Sequence, residues 1–406
     1  MKKLILITSQ FPYFFGEPFL INELPYICKN FKEIYIFSIN GSSNVKFTRD
    51  IPSNAKCFPL GNTISKIKYI QYILKGMFYK NSELRIQQYS LKRLIASLYV
   101  RGRAKTISTQ IYRCIKAEGI QLDDVVVYSF WFSYQAAAAY LLSKDLKKHG
   151  SKVITISRAH GYDLYWERVL TGYHPFQDVL LKEITCFPCS NHGRDYLTEK
   201  YPWAKDKVIT ARLGTRDYGL NPYKARRTLV TCCNLEKLKR MSLFAEAFCI
   251  AAKEETDLKW ICIGDGAERE IIEKTISCAK CKSHVEIKGR LSNEEVLKIY
   301  QDEEVMYFCN ISTTEGIPVS IMEAMSFGIP IIATDVGGTS ELVDESNGIL
   351  ISSELDKISL SKIILNMIKM DRKSHFAMRN MSRKKWEEDS SADRNYSLFC
   401  STINCL

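Results

Sequence analysis

The chain has 406 residues, of which 46% are hydrophobic and 25% charged, as in a soluble globular protein. A chain this long exceeds one ordinary core, so two domains of about 200 residues are expected. Fourteen cysteines and no evident secretory signal indicate reduced thiols in a cytoplasm. The longest uncharged run, residues 125–143, is interrupted by polar side chains, which argues against a membrane-spanning helix.

The net charge of +12 is concentrated in residues 51–120, which contain 13 Lys or Arg and 2 Glu. Tyr, Ile and Leu are interleaved with these charges, a composition that suits an anionic membrane face. A solvated basic helical face explains the same charge equally well. Nucleic acid is disfavoured because no binding motif accompanies the charge.

The cysteines include two CxxC pairs, Cys186 with Cys189 and Cys278 with Cys281. The separation between the pairs fits no common zinc-ligand spacing. Buried structural thiols are therefore expected, and no metal site is predicted.

Strand and helix patterns alternate along the first half, which predicts a parallel sheet covered by helices. The predicted strands are 3–9, 33–39, 125–127, 153–157, 184–190 and 208–213. The loop at 10–16, which ends at Gly16, follows the first strand. Ligands of open parallel sheets bind at the carboxyl ends of strands, so this loop is expected to line a cleft.

His160 and Asp163 come directly after the strand predicted at 153–157. A single histidine is more often structural than functional, but the end of a parallel strand favours a ligand. Both interpretations stay open from the residues alone.

The second half begins after a linker, residues 215–227, rich in Gly, Asn, Pro and charge. Strands are predicted at 229–233, 259–264, 285–288, 305–309 and 329–334, and helices at 241–253, 267–279, from 292 onward and at 379–400. No GxGxxG follows the first strand of the chain, which weakens a dinucleotide-dependent oxidoreductase interpretation.

Two carboxylates, Glu315 and Glu323, flank a turn at Gly316 and a predicted helix start at Pro318. Such a helix start offers unpaired N–H groups to an anion such as phosphate. Glu323 falls beside the apolar stripe of the helix, and a half-buried carboxylate needs donors such as ribose or sugar hydroxyls. An ordinary surface helix accounts for the spacing equally well.

Taken together, the motifs resemble the retaining GT-B glycosyltransferases of family 4. The segment EGIPVSIMEAMSFGIPIIATDVGGTSEL is similar to their donor motif, and NLEKLKRMSLFAEAF, WICIGDGAEREII, VEIKGRLSNEEV and RAHGYDLY are similar to their flanking signatures. The resemblance implies an α/β fold with two Rossmann-like domains facing a central cleft. Residues 1–217 would form the acceptor domain and 225–378 the donor domain, with a C-terminal helix at 379–406 packing back on the first.

The resemblance also implies roles for single residues. Glu323 would hold the ribose hydroxyls, Glu315 would face the donor sugar, and Lys239 would neutralise the departing diphosphate. His160 would contact the donor sugar, and it joins Glu315 and Lys239 as a catalytic assignment. The other implied donor-binding residues are Gly316, Ile317, Pro318, Val319, Arg290, Asn234, Arg240 and Gly264. Gly16 and Asp163 are assigned to the acceptor side.

The chain departs from the family at Asn234, where an arginine is usual, so Arg240 is expected to assist Lys239. The resemblance implies front-face transfer without an enzymatic nucleophile, and neither a metal nor another cofactor is expected. The expected partners are a UDP- or GDP-sugar and a glycan or polyprenyl-linked acceptor at the inner membrane face. Two alternatives are a GT-B epimerase or hydrolase, and a catalytically silent sugar-nucleotide-binding subunit, which Asn234 favours.

Overall fold

The structure is a computed structural model that describes residues 2–14, 16–79, 84–86, 90–222 and 227–406. The chain divides into two compact units, residues 1–213 with 396–406, and residues 214–395. The sequence placed the first boundary at 217 and the C-terminal return at 379. The predicted start of the second domain, residue 225, and the predicted linker residues 223–226 lie outside the described part of the chain.

The described part of the first unit contains a six-stranded parallel sheet in the order β3-β2-β1-β4-β5-β6. Its strands are β1 (Lys3–Thr8), β2 (Ile34–Ser38), β3 (Ala55–Pro59), β4 (Asp124–Ser129), β5 (Lys152–Ala159) and β6 (Thr185–Pro188). Its first helices are α1 (Leu20–Asn30), α2 (Lys66–Phe78), α3 (Leu91–Ala117), α4 (Tyr134–Lys148), α5 (Gln177–Glu183) and α6 (Asn191–Lys200). The central strands β1 and β4 are apolar runs because helices cover both faces of the sheet.

The second unit repeats this architecture, with a described six-stranded parallel sheet in the order β12-β11-β10-β7-β8-β9. Its strands are β7 (Thr228–Cys232), β8 (Lys259–Ile263), β9 (Val285–Gly289), β10 (Val305–Asn310), β11 (Ile331–Thr334) and β12 (Gly348–Ile351). Its helices are α7 (Met241–Glu254), α8 (Arg269–Cys278), α9 (Asn293–Asp302), α10 (Val319–Ser326), α11 (Lys357–Ile368) and α12 (Arg372–Asp389). The prediction of two parallel α/β units in series is confirmed.

Each sheet has a point at which the strand order reverses, between β1 and β4 in the first unit and between β7 and β10 in the second. The loops that leave two such neighbouring strands separate to opposite faces and leave a crevice at their carboxyl ends. These two crevices are where the fold offers room for a ligand.

The C-terminal segment differs from the single helix predicted at 379–400. It forms α12 and then α13 (Ala392–Cys405), with a break at residues 390–391. Thr215 holds this break: its N–H donates to the carbonyl of Ser390 at 2.9 Å, and its carbonyl accepts from the N–H of Ala392 at 3.0 Å. The segment 396–406 belongs to the first unit, where Phe399 lies 4.1 Å from the guanidinium of Arg158.

The prediction of a strand at 208–213 is wrong. The segment makes one isolated bridge, Val208 to Cys186, and the N–H of Ile209 donates to the Cys186 carbonyl at 3.0 Å. The next donor on β6 would be the N–H of Pro188, which has none. The Pro188 carbonyl still accepts from the Ala211 N–H at 2.9 Å, but without that donor no second bridge forms among the described residues of this segment. The short strands β3 and β12 and the helix α11 were not predicted.

The cysteines are free thiols; Cys186, Cys189 and Cys281 are buried, as expected, whereas Cys278 is exposed. The uncharged run at 125–143 is β4 followed by α4. In the part of the chain that is described, no helix combines the length and the apolar character needed to cross a bilayer.

Candidate functional site

The loop from β10 to α10 lies at the crevice of the second unit and contains Glu315. Asn310 at the end of β10 accepts a hydrogen bond from the Ser312 hydroxyl at 2.8 Å, which closes the first turn of the loop. Gly337 has a φ of +58°, and a Cβ there would meet the Glu315 carbonyl oxygen at 1.9 Å. The N–H of Gly338 then donates to the Gly316 carbonyl at 2.8 Å. The glycine pair after β11 is therefore the support on which the Glu315 loop rests.

Glu315 is buried and forms an ion pair with Lys239, whose Nζ lies 2.6 Å from Oε1. Asn310 donates to the same oxygen at 3.3 Å. Lys239 follows β7, and the two loops are joined by the Thr313 N–H, which donates to the Leu238 carbonyl at 2.8 Å. The strand order thus brings together a lysine and a carboxylate that are 76 positions apart.

The helix α10 begins at Val319, and Pro318 is its N-cap residue. The sequence placed Pro318 one position further into the helix. Because proline has no N–H, Pro318 can contribute only its carbonyl, which accepts from the Ile321 N–H at 3.1 Å. The free N–H groups of the first turn are those of the residues that follow Pro318.

Glu323 lies in the second turn of α10 and is half-buried. Burial raises the pKa of its carboxyl from 4.5 to about 7, and a hydrogen bond from Asn293 at 2.8 Å acts in the opposite direction. Burial and the nearby Glu323 charge also raise the pKa of Cys232 at the end of β7. Glu323 therefore lies at the same crevice as the Lys239–Glu315 pair, and its charged form is short of hydrogen-bond donors.

The remaining predicted donor-side residues are spread around this crevice. Gly264 has a φ of +137°, and a Cβ there would meet the Cys233 carbonyl oxygen at 1.8 Å, so it allows the turns after β7 and β8 to touch. The side chains of Asn234 and Arg290 are exposed.

Arg240 does not join Lys239 at Glu315, contrary to expectation. Its left-handed backbone, with a φ of 56°, closes the turn after Lys239. That conformation turns the guanidinium to the other side of the loop, where it donates to the carbonyls of Ser353 and Leu355. Arg240 holds the β12–α11 loop.

His160 follows β5 in the first unit, as the sequence predicted, and its ring is surrounded by aromatic rings. Its centroid lies 4.7 Å from those of Phe130 and Trp131 and 6.2 Å from that of Phe19. Its side chain is 10% exposed; Nδ1 lies 3.8 Å from Oδ2 of Asp163, and Nε2 has no hydrogen-bond partner within the described residues. A buried imidazole whose Nε2 has no partner in the described chain is suited to bind a polar ligand.

Asp163 is buried and positions this histidine, so it does not face an acceptor as expected. Its Oδ1 accepts from the N–H of His160 at 2.8 Å and of Gly161 at 3.1 Å, and its Oδ2 accepts from the N–H of Phe132 at 2.8 Å. Burial opposes its ionisation, yet the pKa of Asp163 is lowered, because His160 and these amides favour the charged form. Asp163 ties the end of β5 to the end of β4.

Glu17 is a residue that the sequence analysis missed. It is buried, has a φ of 55°, and directs its carboxylate back under the loop that contains Gly16. The carboxylate accepts four hydrogen bonds, from the N–H groups of Ser9, Gln10 and Phe11 and from Nε1 of Trp131 at 2.8 Å. Gly16 itself donates to the Gln10 side chain at 3.1 Å. In the sequence, Glu17 appears only as a single glutamate next to Gly16, which does not by itself indicate this role.

Residues 219–385 match the family model of the glycosyl transferases group 1. Over 363 residues, the chain is 23% identical to the GtfA subunit of a UDP-N-acetylglucosamine–peptide N-acetylglucosaminyltransferase from Streptococcus pneumoniae; the match covers 79% of this chain and 70% of that protein. Over 250 residues, it is 26% identical to WcaL, a putative colanic acid biosynthesis glycosyltransferase of Escherichia coli. That match covers 59% of this chain and 60% of WcaL, so the chain spans less than two thirds of WcaL.

The solved structure of Anabaena HepE in complex with UDP is similar to this chain, with a TM-score of 0.67 at 12% identity, over 100% of both chains. A likeness at this identity shows the fold, which is GT-B, with two Rossmann-like units as predicted. The group 1 match and the curated relatives support a glycosyltransferase with this fold.

Proposed function

We propose that the chain is a retaining, metal-independent hexosyltransferase of family 4. It would move a sugar from a UDP- or GDP-sugar to a glycan or polyprenyl-linked acceptor in surface polysaccharide synthesis. The observation that carries the proposal is the Lys239–Glu315 pair, 2.6 Å apart in front of α10, inside the segment that matches group 1. The names of two relatives support a UDP donor and polysaccharide synthesis, because HepE was solved with UDP and WcaL is a putative colanic acid enzyme.

In this proposal the ribose hydroxyls donate to Glu323, whose half-buried carboxylate gains donors in addition to Asn293. The N–H groups of Ile317 and Val319 bind sugar or phosphate oxygens. Lys239 releases part of its contact with Glu315 and stabilises the diphosphate as negative charge develops on it. Because Oε1 of Glu315 is occupied by Lys239 and Asn310, its Oε2 is assigned to a sugar hydroxyl.

The resemblance also assigns His160 to the donor sugar, and Nε2 is the ring nitrogen that has no partner among the described residues. No side chain is assigned as nucleophile, and the acceptor proton passes to the leaving phosphate, as the resemblance implies. Retention is tested by nuclear magnetic resonance of the product anomer. Metal independence is tested by turnover in excess chelator, which should equal turnover in added magnesium.

The first experiment is a thermal-shift screen with UDP-, GDP- and ADP-sugars. A ligand that binds the folded state raises the melting temperature, and a concentration 100 times Kd contributes about 2.7 kcal/mol. The wild type should respond to a UDP- or GDP-sugar and Glu323→Ala should not. Glu270→Ala is the matched control, because Glu270 is an exposed glutamate in the first turn of α8. A response that survives in Glu323→Ala contradicts the site.

Turnover of the identified donor then separates the alternatives. In the absence of any acceptor, conversion of the donor to an equilibrium mixture with its epimer would identify an epimerase, and complete conversion to free sugar and nucleotide would identify a hydrolase. Donor binding without turnover on any acceptor would indicate a silent subunit, for which Asn234 is the relevant residue. If the missing charge at this exposed position only slows departure of the diphosphate, Asn234→Arg should raise kcat with little change in KM.

The acceptor and the place of reaction complete the proposal. We place the protein in the cytoplasm, in peripheral contact with the inner membrane face. Residues 51–120 contain 13 basic and 2 acidic residues, and this excess of positive charge supports binding to an anionic membrane surface. Residues 80–83 and 87–89 of this stretch lie outside the described part of the chain.

A further inference from the structure

The helix α2 has two faces of opposite character. Five large apolar side chains on it, each between 46% and 78% exposed, are Ile67, Ile70, Leu74, Met77 and Phe78. At about 100° per residue these five positions share an arc of about 100°, so they form one continuous apolar stripe. Single exposed apolar residues are normal on a protein surface, but a contiguous stripe marks an interaction site.

The stripe cannot be an unpacked core face, because the opposite side of α2 is locked onto α3. A Cβ at Gly76 would meet the Leu98 carbonyl oxygen at 1.9 Å, and one at Gly102 would meet the Tyr72 carbonyl oxygen at 1.9 Å. The two backbones are therefore in direct contact, and Arg101 Nε adds a hydrogen bond to the Gly76 carbonyl at 2.8 Å. This contact fixes the rotation of α2 and keeps the stripe outward.

Charge borders the stripe on both sides. Lys66 lies next to the edge formed by Met77 and Ile70, and Lys75 lies beyond the opposite edge, as the helical angles place them. Lys68 lies on the same side as Lys75, but its Nζ donates to the Gly61 carbonyl at 2.7 Å. The helix has no acidic residue. An apolar centre flanked by lysines is the pattern of a helix that lies in the plane of a membrane, with lysine stems reaching to the headgroups.

We propose that the α2 stripe binds the surface of an anionic phospholipid bilayer, with the apolar side chains at the headgroup–acyl boundary and Lys66 and Lys75 at the phosphates. The negative charge of the partner follows from these two exposed lysines, and its apolar interior follows from the five exposed apolar side chains. The inference deepens the proposed function and rests on it in one respect: a lipid-linked acceptor makes contact with a membrane useful.

The test is cosedimentation of the full chain with vesicles of phosphatidylcholine, with and without phosphatidylglycerol. The wild type should bind the anionic vesicles and lose binding as salt is raised. Ile67→Ser with Phe78→Ser should lower the partition coefficient at least about tenfold. Lys66→Glu with Lys75→Glu should abolish the preference for phosphatidylglycerol. The matched control is Ile271→Ser with Ile358→Ser, two isoleucines of the second unit with 51% and 47% exposure, which should bind as the wild type.

Hydrogen exchange locates the contact without relying on a variant: anionic vesicles should slow exchange of amides in 66–78 and leave those of α8 unchanged. The proposal is overturned if the wild type does not bind anionic vesicles, or if both α2 variants bind as well as it does. It is also overturned if the stripe variants only convert a dimer to a monomer. Donor-induced thermal shifts, measured without vesicles, should be equal in all these proteins. A failed membrane test therefore does not change the conclusion about the donor site, which these shifts test independently.

Discussion

Replacing Glu323 by glutamine should stabilise the protein, and the gain should depend on pH. Burial raises the pKa of this carboxyl from 4.5 to about 7, so the folded state holds a proton that the unfolded state has lost. Below pH 4.5 the carboxyl is protonated in both states and costs nothing. As pH rises, the charged form becomes favoured in the unfolded state first, and stability falls until about pH 7.

The size of the effect follows from the two pKa values. Relative to a neutral side chain of the same shape, the carboxyl should cost about 3 kcal/mol near pH 8 and under about 1 kcal/mol near pH 5. Glutamine keeps an oxygen for the hydrogen bond from Asn293, so the packing is preserved. In a unit of this size the gain near pH 8 corresponds to about 6–12 °C in melting temperature.

Calorimetry of wild type, Glu323→Gln and the exposed control Glu270→Gln at both pH values measures this difference. Equal stabilisation at the two pH values, or destabilisation near pH 8, refutes the argument that burial of charge sets the pKa. The same residue should control donor affinity: if only the carboxylate accepts the ribose hydroxyls, Kd should rise about tenfold per pH unit below about pH 7. A flat affinity profile would remove Glu323 from the donor site.

Three further substitutions test the loops around the two crevices. Glu17→Ala should lower the free energy of unfolding by about 3 kcal/mol or more in urea titration, because four donors lose their acceptor; a loss below about 1 kcal/mol contradicts this. Gly337→Ala should weaken donor binding at least about tenfold, because a Cβ would lie 1.9 Å from the Glu315 carbonyl, whereas Gly219→Ala, at a φ of 84° with open space around it, should not. Lys239→Met should lower kcat about 100-fold or more in a transfer assay, with a smaller change in KM. An unchanged kcat would remove Lys239 from leaving-group stabilisation.

Most helices and strands could be predicted because their signals are local. Buried parallel strands such as β4 and β8 are short apolar runs bounded by polar residues, and α7 has a continuous helical pattern. The failure at 208–213 has a non-local cause, since the strand needed an N–H that Pro188 cannot supply. The break between α12 and α13 has a similar origin. It is held by hydrogen bonds to the backbone of Thr215, which precedes Ser390 by 175 positions in the chain.

The candidate site divides in the same way. The places of Glu315 and His160 after strands, and of Glu323 in the helix that follows the Glu315 loop, could be predicted because each stands in a short local motif; their roles at the site stay predictions. Glu17 could not, because its importance depends on Trp131, which is 114 positions away. Arg240 was assigned from its position next to Lys239, but a left-handed backbone turned its side chain elsewhere.

In both units a carboxylate joins the two loops that leave the sheet where the strand order reverses. In each sheet the loops at the reversal of strand order are tied by an acidic side chain: Glu17 after β1 binds Trp131 after β4, and Glu315 after β10 binds Lys239 after β7. The chemistry of the two contacts differs. Glu17 is saturated by three amides and an indole, all neutral donors, which suits a purely positioning role.

Glu315 contacts an ammonium and one amide through a single oxygen, so its contact includes a charge that a ligand can share. A phosphate that approaches Lys239 gains a charge-assisted hydrogen bond without any rearrangement of the loop, because Gly337 and Asn310 already hold Glu315 in place. The crevice of the second unit therefore holds an ammonium beside a carboxylate, which suits an anion next to a hydroxyl group, whereas that of the first unit contains an imidazole lined by aromatic rings. This difference supports the proposal that the nucleotide diphosphate binds in the second unit.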